Sequence, residues 1–306
     1  EFELFDTVPA PIIEFIRQVF AGANNQVTHT LTIHPSMHEE TLDHMLIAEL
    51  SAAPPRFFSE HRASVVIETH WLGGRRMYGR WEIADIALLL LIRRRGYLMS
   101  RKVALLQTKR LYSKEIPSRE LDDADFRIGI GRLGDRTGRS VPLINQRAYS
   151  FSRDCVFGAM QSGSPQVGRI DDYQNESGIP VYYALYCPTE VPINLRYPST
   201  PTDTVSLKNK LGCRVQVAQE THASLSKVVA GKAPSLRELA VNTRRNFGRF
   251  GWRIEDFVAD EVLACRQGKL FDGNEDANLE RLFYERSAPI SSAISISIDL
   301  PEQPGD

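Results

Sequence analysis

An α/β chain arranged as a three-layer α/β/α sandwich is predicted by three observations. Residues 38–50 repeat Leu42, Met45, Leu46 and Leu50 at helical spacing, residues 63–112 hold three successive strand-like runs, and a helix-then-strand pair comes after them across 161–186. Strands that come between helices in chain order pack as a sheet covered by those helices.

The first element is a helical or buried pattern over residues 9–23, carried by Ile12, Ile13, Phe15, Ile16, Val19 and Phe20, which Gly22 to Asn25 is expected to break. Pro35-Ser36 gives a start for the helix over 38–50, and Glu39 and Glu40 fall in its first turn. A carboxylate there either stabilises the helix end or serves a site. The strand runs are 63–72, 81–92 and 101–112, with Gly73-Gly74 as a turn and a hairpin loop centred near Gly96 or Tyr97. A helix is expected to begin within 141–152, another over 161–173 to end before Gly178, and a strand over 180–186, where Tyr182, Tyr183 and Tyr186 pack in or beside the sheet. Residues 197–204 read as a linker. Residues 235–246 and 252–265 read as two amphipathic helices, and 293–300, alternating Ile and Ser, as a strand on a sheet edge or paired with another chain.

Composition bounds the class. With 306 residues, 42% hydrophobic and 25% charged, the chain can bury a substantial core and is neither disordered nor fibrous. Its longest apolar run, 83–92, contains Asp85 and falls short of the roughly 18 residues of a membrane helix, so no membrane partner is expected; no secretory signal is visible. Cys155, Cys187, Cys213 and Cys265 are widely spread, which fits a reduced, cytoplasmic protein. His34, His38 and His44 lie near one another without a cysteine and read as surface or capping residues, not zinc ligands.

Net charge is −1, so any surface for nucleic acid must be local. Between residues 75 and 114 the basic residues are Arg75, Arg76, Arg80, Arg93, Arg94, Arg95, Arg101, Lys102, Lys109, Arg110 and Lys114, against only Glu82 and Asp85. Arg75, Arg76 and Arg110 are candidate phosphate contacts here. Gly129-Ile130-Gly131-Arg132-Leu133-Gly134 spells a dinucleotide fingerprint, but no strand precedes it, and Gly138 and Pro142 interrupt the helix it would need on its C-terminal side. It reads as a loop whose Arg132, Arg136 and Arg139 touch phosphates. Arg237, Arg244, Arg245 and Arg249 form a second basic cluster, for DNA or an acidic partner.

The chemistry-bearing residues sit on the two central strands. Side chains alternate along a strand, so Gln107 and Lys109 share a face, and antiparallel pairing is expected to bring Asp85 opposite Thr108 or Lys109. A carboxylate, an amide oxygen and a lysine suit phosphodiester hydrolysis. Mg²⁺ held by oxygen ligands neutralises the phosphate and activates water, and the lysine steers that water or offsets charge building on the phosphate. Glu39 or Glu40 would complete the acids.

The order helix with Glu, strand, strand with Asp85, strand with Gln107-Thr108-Lys109 resembles the PD-(D/E)xK nuclease superfamily, in the branch where Gln replaces the second acid. The likeness extends through Cys155-Val156-Phe157-Gly158-Ala159, the run QVGRIDDY from Gln166 to Tyr173, the run IPVYYALYCP from Ile179 to Pro188, and Val191-Pro192, and is similar to nuclease subunits of bacterial antiphage defence operons, Lamassu-type among them. Cys187 stands where such proteins usually have Asn. The resemblance implies a restriction-endonuclease-like core with a central mixed sheet over 29–197, an N-terminal docking helix within 1–28, and a helical or mixed C-terminal region over 205–306 for packing, oligomerisation or partner binding. It implies Asp85, Gln107, the Thr108 carbonyl and Glu39 as metal ligands, Lys109 as catalytic lysine and Glu39 or Glu40 as the helix acid, with Mg²⁺, replaceable by Mn²⁺, as cofactor. It further implies a low-specificity endonuclease on double-stranded DNA, a homo-oligomer, and restraint by a regulatory partner, an ATPase or nucleotide sensor. The alternatives are a noncatalytic DNA-binding or assembly subunit, and a ribonuclease.

Overall fold

The computed structural model describes residues 8–72, 82–115, 148–196, 200–201, 209–241, 250–271, 276–285 and 289–301. Helix α1 (Ala10–Ile33) runs straight through the break expected at Gly22 to Asn25. Ile12, Ile16, Phe20, Ala23, Val27 and Leu31 recur every three or four residues and are all buried, so one continuous apolar stripe outweighs the roughly 1 kcal/mol a helical glycine costs. Asn24 is buried within that stretch because its amide donates to Glu255 at 2.7 Å and its side-chain oxygen accepts the Cys213 N–H at 2.8 Å. Helix α2 (Glu39–Ser51) starts with both glutamates in its first turn and buries Leu42, Leu46 and Leu50.

The strands of the central sheet are β1 (Arg56–Phe58), β2 (Ala63–Trp71), β3 (Ala84–Arg94), β4 (Tyr97–Arg110), β5 (Val181–Tyr186), β6 (Arg214–Val217), β7 (Trp252–Arg253), β8 (Lys269–Phe271) and β9 (Ile290–Leu300). They form one nine-stranded sheet in the order β1-β2-β9-β3-β4-β5-β6-β7, with β8 on the first half of β4. The pairs β9–β3 and β4–β5 are parallel and the others antiparallel, so the central sheet is mixed. Arg95 and Gly96, both at positive φ, make the two-residue turn between β3 and β4, as the right-handed twist of a hairpin favours. A register shift after Ile92 then sets Ile86 against Leu106.

Three further expectations are overturned. β9 is central, gripped by β2 on one side and β3 on the other, because Ile294, Ile296 and Ile298 enter the core while Ser292 and Ser295 are also buried; it is no edge. Ala148–Phe151 is a strand and not a helix, since Tyr149 and Phe151 point inward at a period of two. Within 252–265, Trp252–Arg253 pairs with β6 before the chain turns helical over 254–262. The sheet is flanked by helices on both faces. One apolar cluster joins it to α1, α2 and residues 254–263; the other joins it to α3 (Pro165–Ser177), α4 (Ala218–Leu225) and α5 (Asp276–Tyr284). α3 is capped by the Ser164 hydroxyl at its start and ends at Gly178 in the left-handed region, as the glycine foretold.

Candidate functional site

The β3–β4 ladder stops at Ile86–Leu106, which brings Asp85 level with Gln107, one residue short of the partner expected. The turn pairs Arg94 with Tyr97, which alone would set Asp85 against Leu106, and the shift after Ile92 moves the pairing one residue on, to Gln107. Where the ladder ends, the Thr108 N–H turns to a side chain: Asp85 Oδ2 accepts it at 2.6 Å, together with the Gln107 amide at 2.5 Å and the Thr108 hydroxyl at 2.9 Å. Asp85, Gln107 and Thr108 therefore form one cluster.

Glu39, at the start of α2, supplies the next acid. It accepts the Arg110 N–H at 3.2 Å and lies 3.4 Å from the Lys109 ammonium. Lys109 is 6% exposed, and Gln107 2%. Of the two glutamates, Glu39 makes these contacts, while Glu40 is felt electrostatically by Glu82. Glu82 also takes a hydrogen bond from the Ser291 hydroxyl, and burial together with the negative charges of Asp85 and Glu40 pushes its carboxyl up to about 7.

Two residues of this site went unread in the sequence. Asp43 is fully buried on α2, accepts the Tyr186 hydroxyl at 2.8 Å, and lies 2.8 Å from the Thr108 hydroxyl. Burial, then the charge of Asp85, raises its carboxyl well above the ordinary range. Geometry agrees. Thr108 has a single hydroxyl proton and cannot donate to Asp43 and Asp85 together, so a protonated Asp43 donating to Thr108, which donates to Asp85, gives both contacts a donor and an acceptor. The second residue is Gln166 at the start of α3, whose amide donates to the Gln107 oxygen at 3.2 Å and to the Glu82 carbonyl at 3.1 Å. A carboxylate between Leu42 and Leu46, one turn after Glu39, was the legible signal for Asp43.

Among the described residues no group of three or more His, Cys, Asp or Glu side chains could hold a metal ion as it stands. The donor set still suits a hard cation. Its oxygens are carboxylate and amide, burial together with neighbouring negative charge raises two of its carboxyls, and among the described residues no hydrogen bond ends on Asp85 Oδ1. Gln107 presents its NH₂ to Asp85, so its oxygen would reach a cation only after the amide turns over and leaves Gln166.

The described basic residues of the stretch do not form one surface. Arg110 is buried, donates to the Pro35 carbonyl at 2.7 Å and lies 3.7 Å from the Tyr112 ring centre; Lys102 is buried and donates to the Val262 carbonyl. Arg93 to Arg95 sit at the far end of the hairpin, about 30 Å from Gln107 at the rise of an extended strand. Arg75, Arg76, Arg132, Arg136, the glycine-rich run 129–134 and Arg244, Arg245 and Arg249 lie outside the described residues. His44 stacks on Trp71 with ring centroids 3.8 Å apart. Compared with protein-family models, with curated proteins and with solved structures, the chain matches none, so its candidate site is defined by its own geometry.

Proposed function

We propose that this chain is a Mg²⁺-dependent phosphodiester hydrolase acting on DNA with little sequence preference, the effector of an antiphage defence complex. The observation that carries the catalytic part is the meeting of Asp85, Gln107, Thr108, Lys109 and Glu39 where the β3–β4 ladder ends. Asp85, with Gln107 and Glu39, would hold the cation, whose chemistry is to neutralise the phosphate and lower the pKa of bound water. Lys109 is set to orient that water or to offset developing charge, and Glu39 holds its ammonium in place. Asp43 and Tyr186 fix Thr108 from behind, and Thr108 fixes Asp85. The defence setting, restraint by an ATPase or nucleotide-sensing partner and assembly into a homo-oligomer rest on the motif resemblance alone.

The test is cleavage of plasmid, linear duplex, single-stranded DNA and RNA by the purified chain across Mg²⁺ and Mn²⁺ titrations, beside Asp85→Asn and Lys109→Ala. Metal-dependent DNA cleavage lost at least 100-fold in both variants supports the reading. DNA binding with no cleavage at any metal concentration, alone or with partner, would select the noncatalytic subunit instead, a reading favoured by the acids already being engaged with protein donors. Faster cleavage of RNA would select the ribonuclease.

A further inference from the structure

Beside the acidic pocket, an aromatic pair stands half in solvent. Trp71 ends β2 and is 48% exposed although it is one of the largest apolar side chains in the molecule. The His44 ring covers one of its faces, stacked at 3.8 Å and 28°. His44 is one helical turn beyond Glu40 on α2, and Glu40 lies near enough for its charge to act on Glu82, so the pair stands beside the acidic cluster.

The sheet ties the two places together. Trp71 pairs with Ser292 of β9, and Ser292 with Ile86 of β3, so the Trp71 backbone is about 10 Å from the level of Asp85 at the usual strand spacing. Ser291 accepts the Leu72 N–H through its carbonyl at 3.0 Å and donates its hydroxyl to Glu82, while the Ser292 hydroxyl donates to the Asp85 carbonyl at 2.8 Å. β9 therefore braces both the end of β2 that carries Trp71 and the segment that carries Glu82 and Asp85.

We propose that the Trp71–His44 pair is a stacking platform for an unpaired nucleobase flanking the scissile phosphate, so that the chain engages its substrate as a single-stranded or locally opened nucleic acid. The proposal deepens the phosphodiesterase reading and rests on it for the position of the phosphate. A base has a flat, polarisable face that stacks on indole whatever its identity, which suits an enzyme of low sequence preference. A base inside an intact duplex already has both faces covered and gains nothing there.

The experiment measures anisotropy of a fluorescein-labelled single-stranded DNA, the RNA of the same sequence and the blunt DNA duplex, on the full chain with Ca²⁺ in place of Mg²⁺. Trp71→Ala is expected to weaken single-strand binding about 5- to 100-fold, the range for loss of one base stack, while Trp71→Phe stays within about 3-fold of wild type and duplex binding is unmoved. Equal losses on DNA and RNA strands point to the base as the recognised group. Unchanged single-strand affinity in Trp71→Ala, or equal losses in the Ala and Phe variants, overturns the platform. A purely structural stack would lower the unfolding midpoint and leave oligonucleotide affinity alone, which also overturns it. Asp85→Asn, assayed in parallel for cleavage under Mg²⁺, reports separately on the hydrolase reading, and the binding arm decides the platform whichever way that assay falls.

Discussion

Asp43 offers a sharp test of protonation within the site. If it carries a proton, an amide of the same shape reproduces its bonds: the Asn oxygen accepts from Tyr186 and the NH₂ donates to Thr108. Asp43→Asn is therefore expected to leave stability within about 1 kcal/mol of wild type at neutral pH, whereas Asp43→Ala strands two buried hydroxyls and costs about 2–4 kcal/mol. Urea unfolding of both variants checks this, and a large loss in the Asn variant would show the residue ionised. Gln107 gives the complementary case. A carboxylate there would face Asp85 across 2.5 Å in place of a donor, so Gln107→Glu is expected to lose about 1–3 kcal/mol without divalent metal and to recover it on adding Mg²⁺ or Mn²⁺. Thermal unfolding with and without chelator reads the difference; no metal-dependent recovery would count against a cation between residues 85 and 107.

At the scale of elements, His222 on α4 bridges Tyr183 of β5 at 3.0 Å and Asp171 of α3 at 2.9 Å. Burial pulls its pKa below the usual value, and Asp171 only partly restores it. The folded state thus favours neutral imidazole: its contribution is present above pH about 6.5 and is lost as pH falls further. Wild type should lose more stability than His222→Gln between pH 7.5 and pH 5.5, as read by urea midpoints; equal losses would refute the assignment. Elements were legible where period and punctuation agreed. The helix at Glu39, the strands bearing Asp85 and Gln107, and the stop at Gly178 come from apolar spacing and one glycine. The full length of α1 is hidden because Gly22 to Asn25 looks like a stop until the buried partners of Asn24, residues 213 and 255, are known, and those are about 190 and 230 positions away. In the site, Asp85, Gln107, Lys109 and Glu39 were legible as residue types on an ordered run of elements. Asp43 offered only its place one turn after Glu39, and Gln166 offered no signal, since what marks each as part of the site is a tertiary bond to Tyr186 or Gln107.

Across the whole molecule, the sheet is assembled out of chain order. β9 comes after every other strand in sequence yet lies between β2 and β3, holding both along nearly its full length. A chain stopped before Ile290 is expected to show no cooperative unfolding transition, because two central strands then expose their backbone groups; circular dichroism through a thermal ramp would reveal it, and a sharp transition would disprove it. The serines at the head of β9 also bond Glu82 and Asp85. During synthesis, then, Glu82 and Asp85 gain these braces only when almost every residue described above has been made, and the acidic cluster stays unassembled until that closing strand slides home.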